Sequence, residues 1–541
     1  MKIKIFAASM LIAGVSLSSM AQGYKDGIEY YKVDQLDNAK ELLERNLNAA
    51  STNKAEAYYY LGQIALQRKN VAEAKANFDK GVAADANFAY NYVGQGQLAL
   101  ASDAKAAGVL FETARKLSKK DSKLESAIAR AYYDVNPTTF AKDIEKCIKN
   151  ARKWNANDPE SFIFEGDTYA DKQDWGTAAG QYELAYTYDP SNIEAQVKWA
   201  NTYYNVNPTL ALQKLEELNV NNPNSALVQR QLAEKYYVAN LGAKAAEKYG
   251  EYIKNPNHLA QDEVRYVQLL FFGNKFQESY DLASSLISKL NANDPNVFFM
   301  QRMKLYNKVQ MQDWAGAAAD GDALFAMAKP ADVTYEVKDY TDYAKALQEA
   351  GQPEKAIKAY EMAAELNPNN LDLVRSLSDT YADAKDYVKA AAYYQKVVDN
   401  DQCKANDYFV ASRRYYNLAV TTEDEAVKAN AMAQARKYIE IVDEKVPDNI
   451  PIINQKARIE KLEEGGKNTG KAVATYKKLI SLLDAKENRN DYANEYISAY
   501  QYLGNYSMDK GDKAAAKEYY QKWLQHDPEN NDLRRYVESL K

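Results

Sequence analysis

The 541-residue sequence is poor in the side chains that build metal centres and nucleophilic sites, with two cysteines and two histidines. No Cys or His group has the spacing of metal ligands. His258 and His526 are far apart in sequence, so a Ser-His-Asp arrangement has no support. These shortages predict a chain without a metal, without another cofactor and without catalytic residues.

The sequence also lacks a strong excess of one charge. Lys and Arg number 69 against 75 Asp and Glu, a formal net charge of -6, and neither half has a long run of one sign. Non-specific binding to nucleic acid requires clustered positive charge. We therefore expect no nucleic-acid partner, and we interpret acidic groups such as residues 423–425 as solvated helix faces or caps.

Long apolar runs are missing beyond the N-terminus. Lys2 and Lys4 precede an apolar stretch at residues 5–17, which is shorter than the ~20 residues of a membrane-spanning helix. Small residues then end at Ala21, so residues 1–21 are predicted to be a cleaved signal peptide and Gln22 the mature start. An uncleaved signal anchor is the alternative. No cysteine follows the cleavage site to carry a lipid, and we expect an exported protein without a transmembrane span.

A helical unit is clearest between residues 340 and 368. Gly351 interrupts its apolar pattern, Pro353 suits the first turn of a new helix, and Pro368 ends that helix. The apolar positions, at helical spacing on both sides of Gly351, are Tyr340, Tyr343, Ala344, Leu347, Ala356, Tyr360 and Ala363. Two short antiparallel helices are predicted, and because neither can bury its stripe alone, copies must stack.

This unit returns along the whole chain. Asp-Pro or Asn-Pro dipeptides mark its ends at 158–159, 189–190, 222–223, 255–256, 294–295, 367–368 and 527–528. We predict about 14 units in two arrays, 22–330 and 331–541, that form one continuous solenoid with an irregular joint near Pro330. A polar helix from Asp532 to Lys541 would cap the last unit. Cys147 and Cys403 would be too far apart in such an array for a disulfide, so both are expected as free thiols.

The positions of the small residues, large residues and prolines in this unit resemble those of the tetratricopeptide repeat. The resemblance is closest at Phe162, Gly166, Tyr169, Ala178, Tyr182, Ala185 and Pro190. A second close match runs from Tyr500 to Pro528. The resemblance implies an all-α, right-handed α-solenoid whose first helices line a concave groove. It also implies a non-enzymatic scaffold that holds peptides or partner proteins, because family members usually act in that way.

The same resemblance places the groove residues of this chain. The candidate partner-binding residues are Tyr59, Gln63, Asn201, Tyr204, Arg230, Tyr237, Lys345, Gln501 and Asn505. Some family members clamp a carboxylate with paired Lys and Asn, but Val197 and Gln501 occupy the place of the Lys here. The alternative to a partner-binding role is, for each candidate, that it is a solvated residue on a helix face.

Tyrosine is the abundant aromatic residue, with 44 Tyr against 14 Phe. Many of the tyrosines form doublets inside predicted helices, such as Tyr30–Tyr31 and Tyr58–Tyr60. In a doublet one ring usually points into the core, and the second ring either lines a groove or packs at a seam between repeats. We therefore expect some accessible aromatic surface, which suits a peptide- or glycan-binding protein.

Residues 465–471 imitate a phosphate-binding loop. The required Ser or Thr is replaced by Ala472, and the preceding segment is charged and helical in pattern, whereas a P-loop follows a buried strand. We expect an ordinary inter-helix loop.

The sequence thus predicts a periplasmic or outer-membrane-associated scaffold of a bacterial cell envelope. Its expected partners are other envelope proteins or peptides, and peripheral association with outer-membrane complexes stays open. The main alternative is an envelope carrier of a glycan or peptide ligand. An enzyme is the third alternative, for which no catalytic set is visible.

Overall fold

A computed structural model of the protein describes residues 23–540 and contains, within that span, 29 α-helices and no strand. The helices form 14 consecutive antiparallel pairs, here called repeats, followed by one final helix. This arrangement confirms the all-α solenoid class and the expected number of units. The predicted signal peptide, residues 1–21, and the mature start at Gln22 lie outside the described residues.

In each repeat the odd-numbered helix is helix A and the next one is helix B. The helices of repeats 1–8 are α1 (Gly23–Lys32), α2 (Leu36–Asn46), α3 (Lys54–Gln67), α4 (Val71–Ala84), α5 (Tyr90–Leu100), α6 (Ala104–Leu117), α7 (Ser122–Val135), α8 (Ala141–Trp154), α9 (Pro159–Ala170), α10 (Trp175–Tyr188), α11 (Ile193–Tyr203), α12 (Pro208–Asn221), α13 (Ala226–Val238), α14 (Gly242–Tyr252), α15 (Ala260–Phe272) and α16 (Phe276–Lys289).

The helices that follow are α17 (Pro295–Gln310), α18 (Trp314–Ala326), α19 (Val337–Glu349), α20 (Pro353–Leu366), α21 (Leu371–Asp383), α22 (Tyr387–Val398), α23 (Ala405–Thr421), α24 (Glu425–Lys445), α25 (Ile450–Glu463), α26 (Val473–Asp484), α27 (Ala493–Asp509), α28 (Lys513–His526) and α29 (Asn531–Ser539). A short 3₁₀ turn at Arg489–Tyr492 precedes α27. The last helix packs its buried Leu533 and Val537 beside Tyr520 of α28, which is the capping role predicted from the sequence.

The chain separates into two compact units, the first ending at Met303 and the second beginning at Lys304. The joint predicted near Pro330 therefore lies inside the second unit, as the irregular link at 327–336. Aromatic rings cluster around this link: the centroid of the Phe325 ring lies 4.9 Å from that of Tyr335 and 4.8 Å from that of Tyr340. Aromatic contacts of this kind add to the stability of the link beyond simple burial.

A common turn joins helix A to helix B in most repeats. The residue before the N-cap of helix B has a left-handed backbone, as at Gln173 (φ 63°) and Gly351 (φ 74°). Asp174 then caps helix B by accepting a hydrogen bond from the Thr177 N–H at 3.1 Å. Gly351 is the residue best suited to this turn, because non-glycine residues pay a steric cost there.

Close packing between helices A and B depends on small residues. A Cβ atom placed on Gly166 of α9 would lie 2.5 Å from the Tyr182 ring of α10. The ring occupies the space that a side chain on Gly166 would need, so the helices approach closely. Gly180 on the outer face of α10 has nothing within 4 Å of the same position.

The first unit closes on itself. Helix α1 packs against its neighbours α2 and α3 and also against α11 and α13, which are far away in sequence. One apolar cluster contains Tyr24, Ile28 and Leu42 of repeat 1 together with Leu227 and Leu259. Most of the buried residues of repeats 3 and 4 form a different cluster. Repeat 1 is therefore packed against the later repeats of this unit as well as against repeat 2.

We call the contact between α1–α2 and residues 225–262 the seam. Its apolar part is flanked by polar contacts. The hydrogen bonds across it run from Ser225 to Glu29 (2.6 Å), from Asn257 to Asp26 (2.6 Å), from Arg230 to Gln35 (3.2 Å), from Gln261 to Asn38 (3.0 Å) and from Arg45 to the His258 carbonyl (3.1 Å). No interruption in the solenoid pattern marks this closure, and the sequence reading did not foresee it.

Alanine substitutions at two glycines of repeat 5, Gly166 and Gly180, should have opposite effects on stability. Gly166→Ala should destabilise the protein by about 1–3 kcal/mol, because the methyl group collides with Tyr182. Gly180→Ala is the matched control and should stabilise α10 by up to about 1 kcal/mol through helix propensity alone. Urea unfolding followed by circular dichroism measures both, and equal midpoints for the two variants would contradict this packing.

Candidate functional site

Six A helices of the first unit surround a pair of joined cavities. The first cavity has a volume of about 400 Å³ and the second about 890 Å³. Both are bordered by the same five side chains, namely Asp34, Gln67, Arg130, Asp134 and Lys198. We call the joined cavities the channel. Because α1 is one of its walls, the seam helps to enclose the channel, together with the direct contact of α1 with α11.

The helices around the channel run in the same direction. First-turn residues line the first cavity, including Glu56 of α3, Lys123 of α7 and Glu194 of α11. Residues at or just after the C-terminal ends line the second, including Asp171 and Asn201. With 1.5 Å of rise per residue, helices of this length make a channel roughly 16–20 Å long. Aligned helix dipoles make the first mouth more positive and the second more negative.

One wall of the channel is aromatic. The Tyr59 ring is 5.1 Å from that of Tyr60 and 5.5 Å from that of Tyr90, while Tyr31 packs 5.1 Å from Tyr60. Burial raises the pKa of Tyr59 and of Tyr60 well above the ordinary tyrosine value, so their hydroxyls stay protonated. Neither hydroxyl has a hydrogen-bond partner among residues 23–540, so both can donate to a ligand.

The opposite side carries a network of alternating charges. Lys32 lies 3.0 Å from both Glu160 and Glu194. Lys198 lies 3.5 Å from Glu194 and 2.7 Å from Asp167. Arg130 closes the network, 2.5 Å from Asp167. Three cations thus face three carboxylates, and the Lys32 contacts bring residues of repeat 1 and repeats 5 and 6 together.

The pKa values in this network reflect burial opposed by pairing. Burial by itself would raise the pKa of Asp167, but Lys198 and Arg130 outweigh it and hold the pKa at about 2. Burial would lower the pKa of Lys32, but Glu160 and Glu194 raise it well above the ordinary value. For Asp167 and Lys32, attraction to the opposite charges therefore outweighs the loss of solvent, whereas for Glu194 burial outweighs Lys32 and Lys198 and raises its pKa.

Two further carboxylates stand outside the network. Asp34 and Asp134 both have pKa values raised by burial, and Asp134 accepts a hydrogen bond from Gln97 at 3.2 Å. At the first cavity the hydroxyl of Ser126, a residue only 4% exposed, has no hydrogen-bond partner in the described part of the chain. The channel therefore offers unused polar groups as well as aromatic faces.

The structure brings two of the predicted partner-binding residues to the channel. Tyr59 lines the first cavity and Asn201 the second. Gln63 is buried and donates to Gln97 at 3.0 Å. In the first tyrosine doublet one ring lies in the core and the other lines the cavity, as expected: Tyr30 is fully buried, and Tyr31 lines the channel.

The other candidates have local roles. Arg230 forms an ion pair with Asp262 of the next repeat (3.2 Å) and bonds across the seam, so it is a structural residue of the first unit. Tyr204 and Tyr237 lie under the cations of Lys235 and Arg265.

In the second unit, Lys345 is exposed, with its ammonium 5.2 Å from the centre of the Trp314 ring. Asn505 accepts a hydrogen bond from the Tyr520 hydroxyl at 2.8 Å. Gln501 is half-buried on α27. The partner-binding role of these three residues of the second unit stays a prediction.

The charge network was missed by sequence reasoning, although a partial signal exists. Glu160 and Glu194 are each the second residue of an A helix, where an acidic residue also suits the helix dipole. Their shared partner Lys32 is 128 residues away from Glu160, and only closure of the unit brings them together. No local pattern contains that contact.

The imitation of a phosphate-binding loop is an inter-helix loop between α25 and α26, as predicted. Its anion position is filled from within the chain, because the Glu464 carboxylate accepts the backbone N–H groups of Gly470 (2.9 Å) and Lys471 (2.5 Å). The Tyr502 hydroxyl donates to the same oxygen at 2.8 Å. A phosphate would have to displace this carboxylate.

The two cysteines are free thiols, as predicted, with Cys147 buried on α8 and Cys403 in a loop. Within residues 23–540 no group of three or more His, Cys, Asp or Glu side chains is arranged to hold a metal ion. No helix in the same span is both long and apolar enough to cross a membrane.

Comparison with known families supports the interpretation of the repeats. Models described as tetratricopeptide repeat match residues 24–87, 342–403 and 497–530. These segments correspond to repeats 1 and 2, repeats 10 and 11, and repeat 14. The chain therefore contains tetratricopeptide repeats, and repeats of this kind support, in general terms, a scaffold for protein–protein interaction.

Solved structures with similar folds cover parts of the chain. The C-terminal part of a repeat-containing protein from Cytophaga hutchinsonii has 20% identity, a TM-score of 0.41, and coverage of 50% of this chain and 98% of its own. A tetratricopeptide repeat protein from Parabacteroides merdae has 17% identity, a TM-score of 0.29, and coverage of 48% and 98%. No curated protein was found to match the sequence.

The charge network of the channel should make the fold less stable in acid, and Asp167 should account for part of this loss. Because its pKa of about 2 lies below that of the unfolded chain, the carboxylate stabilises the fold above pH 4, and this contribution falls as pH drops toward 2. Asp167→Asn should cost about 2 kcal/mol at pH 6 and less at pH 3. Urea unfolding at several pH values measures the difference, with Asp401→Asn, an exposed loop position, as the control. A cost that is independent of pH would contradict the assignment.

Proposed function

We propose that the chain is a non-enzymatic scaffold of a bacterial cell envelope whose first unit binds an extended peptide segment of a partner protein in the channel. The observation that carries this proposal is the enclosure of an aromatic and charged channel by six parallel helices. The family supports a protein partner in general. The envelope setting rests on the N-terminal sequence pattern alone.

The dimensions suit an extended chain. Cavities of 300–1,000 Å³ are typical of specific ligand sites, and both parts of the channel fall in that range. A channel roughly 16–20 Å long would hold about five or six extended residues at about 3.3 Å each. An α-helix with its side chains is about 10–12 Å wide, which is poorly suited to cavities of this size.

The chemistry suits a polar backbone beside small side chains. Tyrosine hydroxyls and the Ser126 hydroxyl can donate to peptide carbonyls, and Asp34 and Asp134 can accept peptide N–H groups or a basic side chain. Aromatic rings contribute packing area with little loss of conformational freedom. The same rings would also stack on sugars, so a glycan ligand is the second candidate.

Filling the channel should weaken peptide binding strongly. Ala127→Trp on α7 places a large ring in the first cavity, whereas Lys146→Trp adds the same ring to the exposed face of α8 in the same repeat. Hexapeptides selected from a random library on the wild-type protein should bind Ala127→Trp at least tenfold more weakly by calorimetry. The Lys146→Trp variant should bind them normally.

The outcomes separate the candidates. Peptides that bind both variants equally would show that the channel is not the site. Oligosaccharides that bind the wild type but not Ala127→Trp, with no peptide selected, would replace the peptide by a glycan. Circular dichroism of both variants establishes that they are folded.

Export predicts a defined N-terminus. In a Gram-negative host the full sequence should yield a periplasmic protein beginning at Gln22, because small residues before the bond suit signal peptidase. Ala21→Arg should block cleavage and leave the longer chain in the membrane fraction. Intact-mass measurement of the wild type and of Ala21→Arg shows whether residues 1–21 have been removed. An uncleaved, cytoplasmic wild-type protein would contradict export.

A further inference from the structure

The wall formed by repeat 1 differs from the other walls of the channel. Repeats 2–6 are joined to a covalent neighbour on both sides, but α1–α2 meets α13 and residues 255–262 only through the seam. A closed ring can admit a free chain end through its mouths. It cannot admit an internal segment of a folded partner unless one wall moves aside.

We infer that the seam is the main part of a gate to the channel, and that ionisation of the Asp26–Glu29 pair favours the open state. Opening separates repeat 1 from α11 and α13–α15 and breaks the ion pairs of Lys32 with Glu160 and Glu194, so that an internal segment of a partner can enter. This inference rests on the proposed function for its ligand. Its conformational part stands on the seam alone.

The carboxylates of Asp26 and Glu29 are hydrogen-bonded to uncharged side chains from the other side of the seam. Asp26 is 3% exposed and accepts from Asn257 at 2.6 Å, while Glu29, one helical turn away, accepts from Ser225 at 2.6 Å. Both partners are uncharged, and both come from the far side of the seam. When the seam opens, each carboxylate loses its partner and gains water.

The charged groups around the pair do not neutralise it fully. On the side of repeat 1, Arg45 and Lys32 act at a distance, and Lys25 borders the same small cavity as the pair. Lys25 and Lys32 have their own partners, Glu56 for the first and Glu160 and Glu194 for the second. On the far side, Arg230 is paired with Asp262, and His258 lies 3.7 Å from Glu263.

The direction of the pH effect follows from burial. Burial, followed by repulsion from Glu29, raises the pKa of Asp26 to about 7, and burial raises that of Glu29 as well. The closed seam is therefore favoured when the pair is protonated, and this preference is lost as pH rises through about 7. With a pKa near 4 in the open state, the closing equilibrium should fall about tenfold between pH 6 and pH 9.

Hydrogen exchange can measure this opening without a ligand. In the full chain, protection factors of backbone amides in α1 and in residues 253–259, corrected for intrinsic rates, should fall about tenfold more from pH 6 to pH 9 than those in α7. Asp26→Asn keeps the acceptor for Asn257 and removes the charge, so this response should largely disappear. Glu44→Gln, at an exposed position of α2, is the control and should respond as the wild type does.

A staple tests the link to binding. In a Cys403→Ser background, Arg45→Cys and His258→Cys joined by a short bismaleimide should hold the seam shut and remove the pH response. A selected free hexapeptide should still bind the stapled protein. The same hexapeptide inserted between two folded domains should associate at least tenfold more slowly with the stapled protein than with the unstapled double variant.

Two results would overturn the gate. One is an equal pH response in the wild type and Asp26→Asn, or none in either. The other is unchanged association of the flanked hexapeptide after stapling. If no peptide binds any form while the exchange response depends on Asp26, the gate stands and the proposed peptide ligand fails.

Discussion

The architecture of the first unit depends on one long-range contact, the packing of α1–α2 against residues 225–262. Tyr24, Ile28 and Leu42 supply its apolar part, and hydrogen bonds such as Asn257 to Asp26 supply its register. Without this contact the A helices would line an open groove. With it they enclose a channel in which Lys32 can meet Glu160 and Glu194.

Enclosure changes the electrostatics of ordinary surface residues. On an open groove, ion pairs between solvated Lys and Glu contribute little. Inside the channel the same residues lose much of their water, so pairing becomes necessary, and Asp167 is held ionised by Lys198 and Arg130. The alternating network therefore reflects the closed geometry as much as it reflects composition. Asp34 and Asp134, outside the network, retain capacity for a ligand.

The sequence was a good guide to the local units because each one repeats the same packing problem. Gly166 facing Tyr182, Gly351 in a left-handed turn and Pro353 at a helix start are all positions where a single residue type satisfies the backbone or the neighbouring helix. Groove residues were harder to assign. Tyr59 and Asn201 reach the channel, while Arg230 forms an ion pair with Asp262 and donates a hydrogen bond to Gln35.

The helix pairs, their number, the free thiols and the capping helix follow from the sequence alone, because they depend on residues within one repeat or between adjacent repeats. The seam, the channel and the charge network follow only from the tertiary structure. The small rotation between successive repeats accumulates until repeat 1 meets repeats 6–8, and a sum of small angles leaves no mark at any single position. Contacts such as Lys32 to Glu160, separated by 128 residues, exist for that reason alone.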